Sequence, residues 1–184
     1  KFALLGFFSP FLYFLGKSFG LKFVTPTLTS VIIGSIPVFT PIAGFVFLRE
    51  RLSVFNISGF LISFVGIVLM VVDKNFSFNA SPYGLLCLFG AVVVAIISSV
   101  LLKKMTSRYS SLLILTYQNI VGALCFLPLF LIFDFNSFMS VRPNTELISS
   151  LALLIVFSSC LAFLFYTISV KEIGVCKTSV FTNL

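Results

Sequence analysis

Thr27, Ser30, Gly34, Pro37 and Pro41 follow one another at steps of three, four, three and four residues. On an α-helix those steps put all five on one face. The chemistry on offer is hydrogen bonding without charge. It comes from two hydroxyls and the Ile33 carbonyl, which Pro37 deprives of its i+4 donor. Such a stripe serves either as the polar wall of a cavity or as a seam where small residues let helices approach. Tyr13 and Tyr166 each offer a π face and a hydroxyl, suited to a solute wall or gate and equally to an interfacial aromatic belt. Ser98 and Ser99 can add hydroxyls to a cavity, although Ala91, Ala95 and Ser99 at steps of four also read as a packing seam. Gln118 and Asn119 follow Tyr117 in the most polar run of any apolar segment. Unpaired amides are expensive in hydrocarbon, so both read as interhelical glue. Gly59, Ser63 and Gly66 read as seam residues. Arg49, Glu50 and Arg51 make a charged turn, read as a local ion pair that fixes a hairpin.

Other chemistries are excluded by what is missing. The 184 residues contain no His, five Asp and Glu, and 12 Lys and Arg, for a net charge of +7. Charged residues are 9% of the chain, against about 25% in a soluble domain. Cys87, Cys125, Cys160 and Cys176 form no Cys-x-x-Cys pair and read as small apolar fillers, so neither a metal nor a cofactor is expected. The basic residues are scattered, and no patch of them tracks a nucleic-acid backbone. Glu50, Asp73, Asp134, Glu146 and Glu172 all fall at the ends of apolar segments or between them. No mid-membrane carboxylate for proton or sodium coupling is visible, and the titratable cluster a membrane enzyme needs is absent.

These residues must be positioned by membrane helices. Crossing about 30 Å of hydrocarbon takes about 20 apolar residues at about 1.5 Å each. Residues 2–19, 26–48, 54–72, 82–102, 112–133 and 147–170 are apolar runs that fit that length, and 178–184 reads as the start of a seventh. The runs lack the alternation of an outer-membrane barrel. The expected fold is therefore all-α, a polytopic helical membrane protein. Thr25-Pro26 and Ser81-Pro82 each set a capping hydroxyl before a proline at a helix start. Counting basic residues places Lys1, Arg49, Arg51, Lys103, Lys104, Arg108, Lys171 and Lys177 on the cytoplasmic side, with Lys17, Lys22, Lys74 and Arg142 opposite.

An internal match supplies a larger frame. Shifting the chain by 149 residues sets Leu12, Phe14 and Leu15 on Leu161, Phe163 and Leu164, Lys22 on Lys171, and Thr29-Ser30-Val31 on Thr178-Ser179-Val180. The matched spans are five helices apart and so face opposite ways, the arrangement of an inverted repeat. Residues 1–73 are then the later part of one repeat and 80–184 the earlier part of the next. The expected whole is a ten-helix bundle of two inverted five-helix repeats, of which this chain is the middle. Asn183 and Thr182 fall at the repeat positions of Gly34 and Ile33, so Asn183 is expected to line the other side of any cavity that Gly34 lines.

The segments Gly34-Ser35-Ile36-Pro37-Val38-Phe39-Thr40 and Phe47-Leu48-Arg49-Glu50-Arg51-Leu52-Ser53, followed by Gly59 and Gly66, resemble the end of an EamA-type repeat of the drug/metabolite transporter superfamily. Val175 to Leu184 resembles the matching helix of the second repeat. Arg49 stands where that pattern usually has Gly before the Glu. The resemblance implies a central cavity and export of small metabolites, such as amino acids or similar amphipathic solutes, or of drugs by alternating access. It also implies a multi-pass protein, and short loops fit the bacterial cytoplasmic membrane. Its partners would be the lipid bilayer and a small-molecule solute, with any coupling ion and the oligomeric state left open. A nucleotide-sugar or sugar-phosphate carrier of the same superfamily would want a basic residue in the cavity. A non-transporting structural subunit would have no need of the polar stripe.

Overall fold

The computed structural model describes residues 1–50, 58, 62, 65, 66, 69, 81–140 and 143–181, except the side chains of 137, 180 and 181. Five helical stretches among them are long and apolar enough to cross a membrane: Phe2–Phe23, Pro26–Leu48, Pro82–Thr106, Ser111–Asp134 and Thr145–Ile173. We call the first α1. The second is interrupted at Ser35 into α2 (Pro26–Gly34) and α3 (Ile36–Leu48). Next come α4 (Pro82–Thr106) and α5 (Ser111–Asp134). A short α6 (Phe135–Ser140) extends α5, and α7 (Thr145–Ile173) and α8 (Val175–Phe181) follow. The expected span over 54–72 lies outside the described residues apart from Ser58, Ile62, Val65, Gly66 and Leu69, all helical.

Local sequence explains the helix starts. The Leu28 N–H donates to Thr25 Oγ1 at 3.4 Å, as the Thr-Pro pair requires. Ser81 occupies the equivalent position before Pro82, but its side chain makes no capping bond. Ser110 and Asn144 cap α5 and α7, accepting the N–H groups of Leu113 and Leu147 at 3.4 and 2.7 Å.

Packing depends on glycine. Inside a bilayer apolar burial drives helix association little, so close backbone approach has to supply the contact. Along the α1–α4 seam, a Cβ on Gly16 would stand 3.2 Å from both Ala91 Cβ and Cys87 O. On Gly84 it would stand 2.5 Å from Val24 Cγ2. On the α1–α5 seam, a Cβ on Gly6 would meet Val121 Cβ at 2.6 Å, and one on Gly122 would meet Pro10 Cγ at 2.5 Å. The seam expected at Gly66 is not seen. A Cβ there would find nothing within 4 Å among the described residues, and Gly59 and Ser63 lie outside them.

Two apolar clusters sit at the two ends of the bundle. Val24, Leu28, Ile32, Leu88 and Val92 form one. Leu5, Leu102, Met105, Ile114, Val170 and Val175 form the other. At this second end the Phe2 ring lies 4.9 Å from that of Tyr109, and Lys103 reaches the Val170 and Lys171 carbonyls at 2.8 and 3.0 Å. Lys1, Glu50, Lys103 and Lys171 are thereby gathered at one end of the bundle. Outward-facing Phe45, Val46, Phe47, Leu86, Ile132 and Phe133 are exposed, as residues against lipid must be.

Candidate functional site

A cavity of about 380 Å³ lies between the two clusters, walled by α1, α2, α3, α4, α5, α7 and α8. Each wall has a local cause. In α1, Ser9 leaves helical geometry (φ −134°, ψ 119°) ahead of Pro10. A proline inside a helix removes one N–H and clashes with the preceding turn. The opened turn puts Ser9 on the cavity, where its hydroxyl accepts from Gln118 Nε2 of α5 at 3.5 Å. Tyr13 lines the same wall one turn later.

The α2–α3 wall is built on the Ser35 interruption. The Ser35 N–H is shared between the Val31 and Ile32 carbonyls, at 3.1 and 3.2 Å. Ile33, Gly34, Pro37 and Thr40 then face the cavity. A Cβ on Gly34 would meet nothing within 4 Å among the described residues, so close packing there does not account for this glycine.

From α4 come Ala95, Ser98 and Ser99, and from α7 come Phe163, Tyr166 and Thr167. Ser98 Oγ donates to the Val94 carbonyl at 2.8 Å, Thr40 Oγ1 to Ile36 O at 2.7 Å, and Thr167 Oγ1 to Phe163 O at 2.8 Å. With their protons committed to their own helices, these hydroxyls offer the cavity lone pairs. Ser99 Oγ likewise donates to Ala95 O at 3.0 Å, which leaves the Tyr166 O–H to donate to Ser99 across 3.2 Å. The Tyr13 hydroxyl makes no hydrogen bond among the described residues. Among the described residues, no charged side chain lines the cavity. The described wall is therefore neutral and rich in acceptors, with donors at Tyr13, Gln118 and the Ser9 hydroxyl.

Of the expected cavity residues, Tyr13, Gly34, Pro37, Ser98 and Tyr166 are brought together. Both tyrosines face the cavity and not a rim. Thr27 and Ser30 do not join them. Both are exposed, and Ser30 Oγ donates to Pro26 O at 2.8 Å. Gly34 shares α2 with both, so the division lies along the helix: Thr27 and Ser30 sit one to two turns nearer the start of α2, and only the end of α2 and the start of α3 reach the cavity. Asn183 and Thr182 lie outside the described residues. Ser179, the repeat mate of Ser30, does line the cavity.

Gln118 is buried and serves both as an interhelical contact and as wall. Asn119 is exposed and makes no hydrogen bond among the described residues. Sequence reasoning does not single out Ser9, Thr40 or Thr167. A Ser-Pro step in the middle of an apolar span is the available signal for Ser9, and hydroxyls beside Pro37 and Tyr166 are the signal for the others.

The charged turn also differs from its local reading. Among the described residues Glu50 makes no ion pair. It accepts the backbone N–H groups of Val175 and Cys176, at 3.2 and 2.9 Å, and so caps α8 from 125 positions away. Burial pushes its carboxyl up, but the Cys176 side chain and backbone, the Val175 N–H and the Lys103 charge outweigh that and hold it below the usual range. Arg49 adopts the left-handed conformation (φ 56°, ψ 30°), which favours glycine, and the Glu50 N–H closes the turn on Gly44 O at 3.2 Å. Arg51 lies outside the described residues.

The family model described as the EamA-like transporter family matches residues 1–72 and 82–184. The chain belongs to the EamA-like transporter family. An uncharacterized transporter of Archaeoglobus fulgidus is 25% identical over 177 residues, covering 96% of this chain and 61% of that protein. The uncharacterized transporter YyaM of Bacillus subtilis is 26% identical, covering 90% of this chain and 55% of its own length. YetK of the same bacterium is 24% identical, with 95% and 53% covered. The chain thus spans between half and two-thirds of these relatives. No solved structure matches it. As an EamA-like chain it is a multi-pass, lipid-embedded membrane protein.

Proposed function

We propose that the protein containing this EamA-like chain is a secondary transporter, not an enzyme, that exports a small amphipathic solute across the cytoplasmic membrane by alternating access. The observation that carries this reading is the neutral cavity of about 380 Å³ between seven helices. Packing alone does not require buried hydroxyls of Ser98, Ser99 and Thr167 to converge on empty space. The wall's surplus of acceptors suits a solute that brings N–H or O–H donors, such as an amino acid or a related metabolite. Phe163, Ile33 and Ile36 would receive its apolar part. A phosphate-bearing solute would need a basic group that these lining residues lack.

The offset of 149 residues supports alternation. Helix starts at Pro26 and Val175 keep it, and two oppositely directed repeats around a midplane site are a known architecture for alternating access. The test is efflux of a panel of amino acids and drugs from loaded cells expressing the full-length protein. Ser98→Leu should abolish flux of the responding solute at equal membrane abundance, and Thr27→Leu should leave it intact. If no solute responds, or if Ser98→Leu exports normally, the transport reading of this cavity fails.

A further inference from the structure

The end of the bundle that holds Lys1 and Lys103 is closed by a polar contact between distant parts of the chain. The Glu50 carboxylate receives the Val175 and Cys176 N–H groups at 3.2 and 2.9 Å. Gly174 (φ +88°) lies against it so closely that a Cβ there would stand 2.9 Å from Oε1. Gly44 lets α3 meet α8, since its Cβ would stand 2.8 Å from Cys176 Sγ. Lys103 Nζ meanwhile holds the carbonyls that end α7, Val170 O at 2.8 Å and Lys171 O at 3.0 Å. One carboxylate thus binds the start of α8 and one ammonium binds the end of α7, on either side of Gly174. Each charge matches the helix end it meets.

This contact lies directly below the cavity. Every segment it joins carries a lining residue within about one turn: Thr40 before Gly44, Leu102 before Lys103, Thr167 before Val170, and Ser179 after Cys176. Beneath the lining, Val170, Val175 and Ile114 are fully buried and Met105 nearly so, an apolar plug between the cavity and this end. Cap, carbonyl clamp and apolar plug therefore form one closure, and α8 cannot move away from α3 while Glu50 holds its first two N–H groups.

We propose that Glu50 is the latch of this end of the cavity: solute passage here requires its carboxylate to release Val175 and Cys176, which parts α3 from α8. The proposal rests on the transport reading only for the word solute, because the opening itself can be read without any flux. Release has a native reporter in Cys176, whose thiol is buried and makes a 3.5 Å contact to Pro41 O.

The experiment uses the full-length protein in membrane vesicles, with Cys176 as its sole cysteine and N-ethylmaleimide as the probe. Labelling of Cys176 should be slow with Glu50 present. It should rise about tenfold in Glu50→Gln, where one charge-assisted bond is lost, and further in Glu50→Ala. Glu50→Gln keeps the side-chain shape, so it carries the test if Glu50→Ala does not fold. A second form has Thr40→Cys as the sole cysteine and meets a membrane-impermeant maleimide from the Lys103 side. That thiol should be silent with Glu50 in place and reactive once Glu50→Gln removes the carboxylate. Equal Cys176 rates with and without the carboxylate would overturn the proposal. So would a Thr40→Cys thiol that stays silent while Cys176 becomes reactive, since Glu50 would then cap a helix and gate nothing. Reactive Thr40→Cys in a protein that moves no solute would leave the latch standing and remove the transport reading.

Discussion

The Tyr166 hydroxyl stands 3.2 Å from Ser99 Oγ, joining α7 to α4 inside the cavity wall. With the Ser99 proton on Ala95 O at 3.0 Å, Tyr166 gives and Ser99 receives. It places the aromatic ring of α7 over the serine pair of α4 and gives the wall its one cross-helix hydroxyl contact between those two helices among the described residues.

That contact makes a double-mutant cycle informative. Tyr166→Phe and Ser99→Ala should each cost about 0.5–1.5 kcal/mol of unfolding free energy, and the pair should cost less than the sum by about 0.6 kcal/mol. Unfolding of the purified protein in mixed detergent micelles measures all four corners. Additive costs would show that the two hydroxyls do not bond.

Glycine position should decide tolerance along α4. Gly84→Ala would set a Cβ 2.5 Å from Val24 Cγ2 and 2.8 Å from Phe23 Cβ, whereas at Gly90 nothing lies within 4 Å among the described residues. The first substitution should destabilise by about 1–3 kcal/mol through overpacking. The second should be neutral or stabilise by up to about 1 kcal/mol through helix propensity. The same unfolding assay ranks them.

Arg49 holds a left-handed backbone at φ 56°. A side chain in that region costs about 1–2 kcal/mol, and glycine escapes most of it. Arg49→Gly should therefore raise the melting temperature, provided the turn keeps its Glu50 N–H to Gly44 O bond. A lower melting temperature would mean that the Arg49 side chain contributes more than its backbone strain costs.

Glu50 should make stability depend on acidity in one direction. Its folded carboxyl sits below its ordinary value because Cys176, the Val175 N–H and Lys103 favour the charged form by more than burial disfavours it. A depressed folded value means that the stabilisation is fully present above the unfolded value of about 4.3 and is lost as pH falls through the folded one. Thermal melts from neutral to acid pH should show that loss, and Glu50→Gln should show a smaller one. Lys103 is the charged group facing Glu50 among the described residues. Identical pH profiles for the two proteins would remove Glu50 as the source.

The amino-acid sequence by itself determined that this is a helical membrane protein and where most of its helices run. Segment length and uniform apolarity are properties of consecutive residues, and a long apolar run without a barrel's alternation must bond its lipid-facing backbone within a helix. Thr25-Pro26 could be placed at a helix start for the same reason, because a cap reaches only three residues. The Pro-to-Glu-Arg segment was enough to suggest the family. Tertiary structure decided which polar residues share a space. Spacing put Thr27 and Ser30 on one face with Gly34 and Pro37, yet only the latter two reach the cavity, because a shared face does not fix the depth at which neighbouring helices leave a space. Ser9 and Thr167 entered the wall through a proline kink and a helix docking: the Ser-Pro step marks the kink locally, but which helices then enclose these hydroxyls is set only by packing. The partner of Glu50 was equally hidden. A carboxylate beside two arginines reads as a local ion pair, and only folding brings it to the backbone of Val175 and Cys176, more than a hundred residues along the chain.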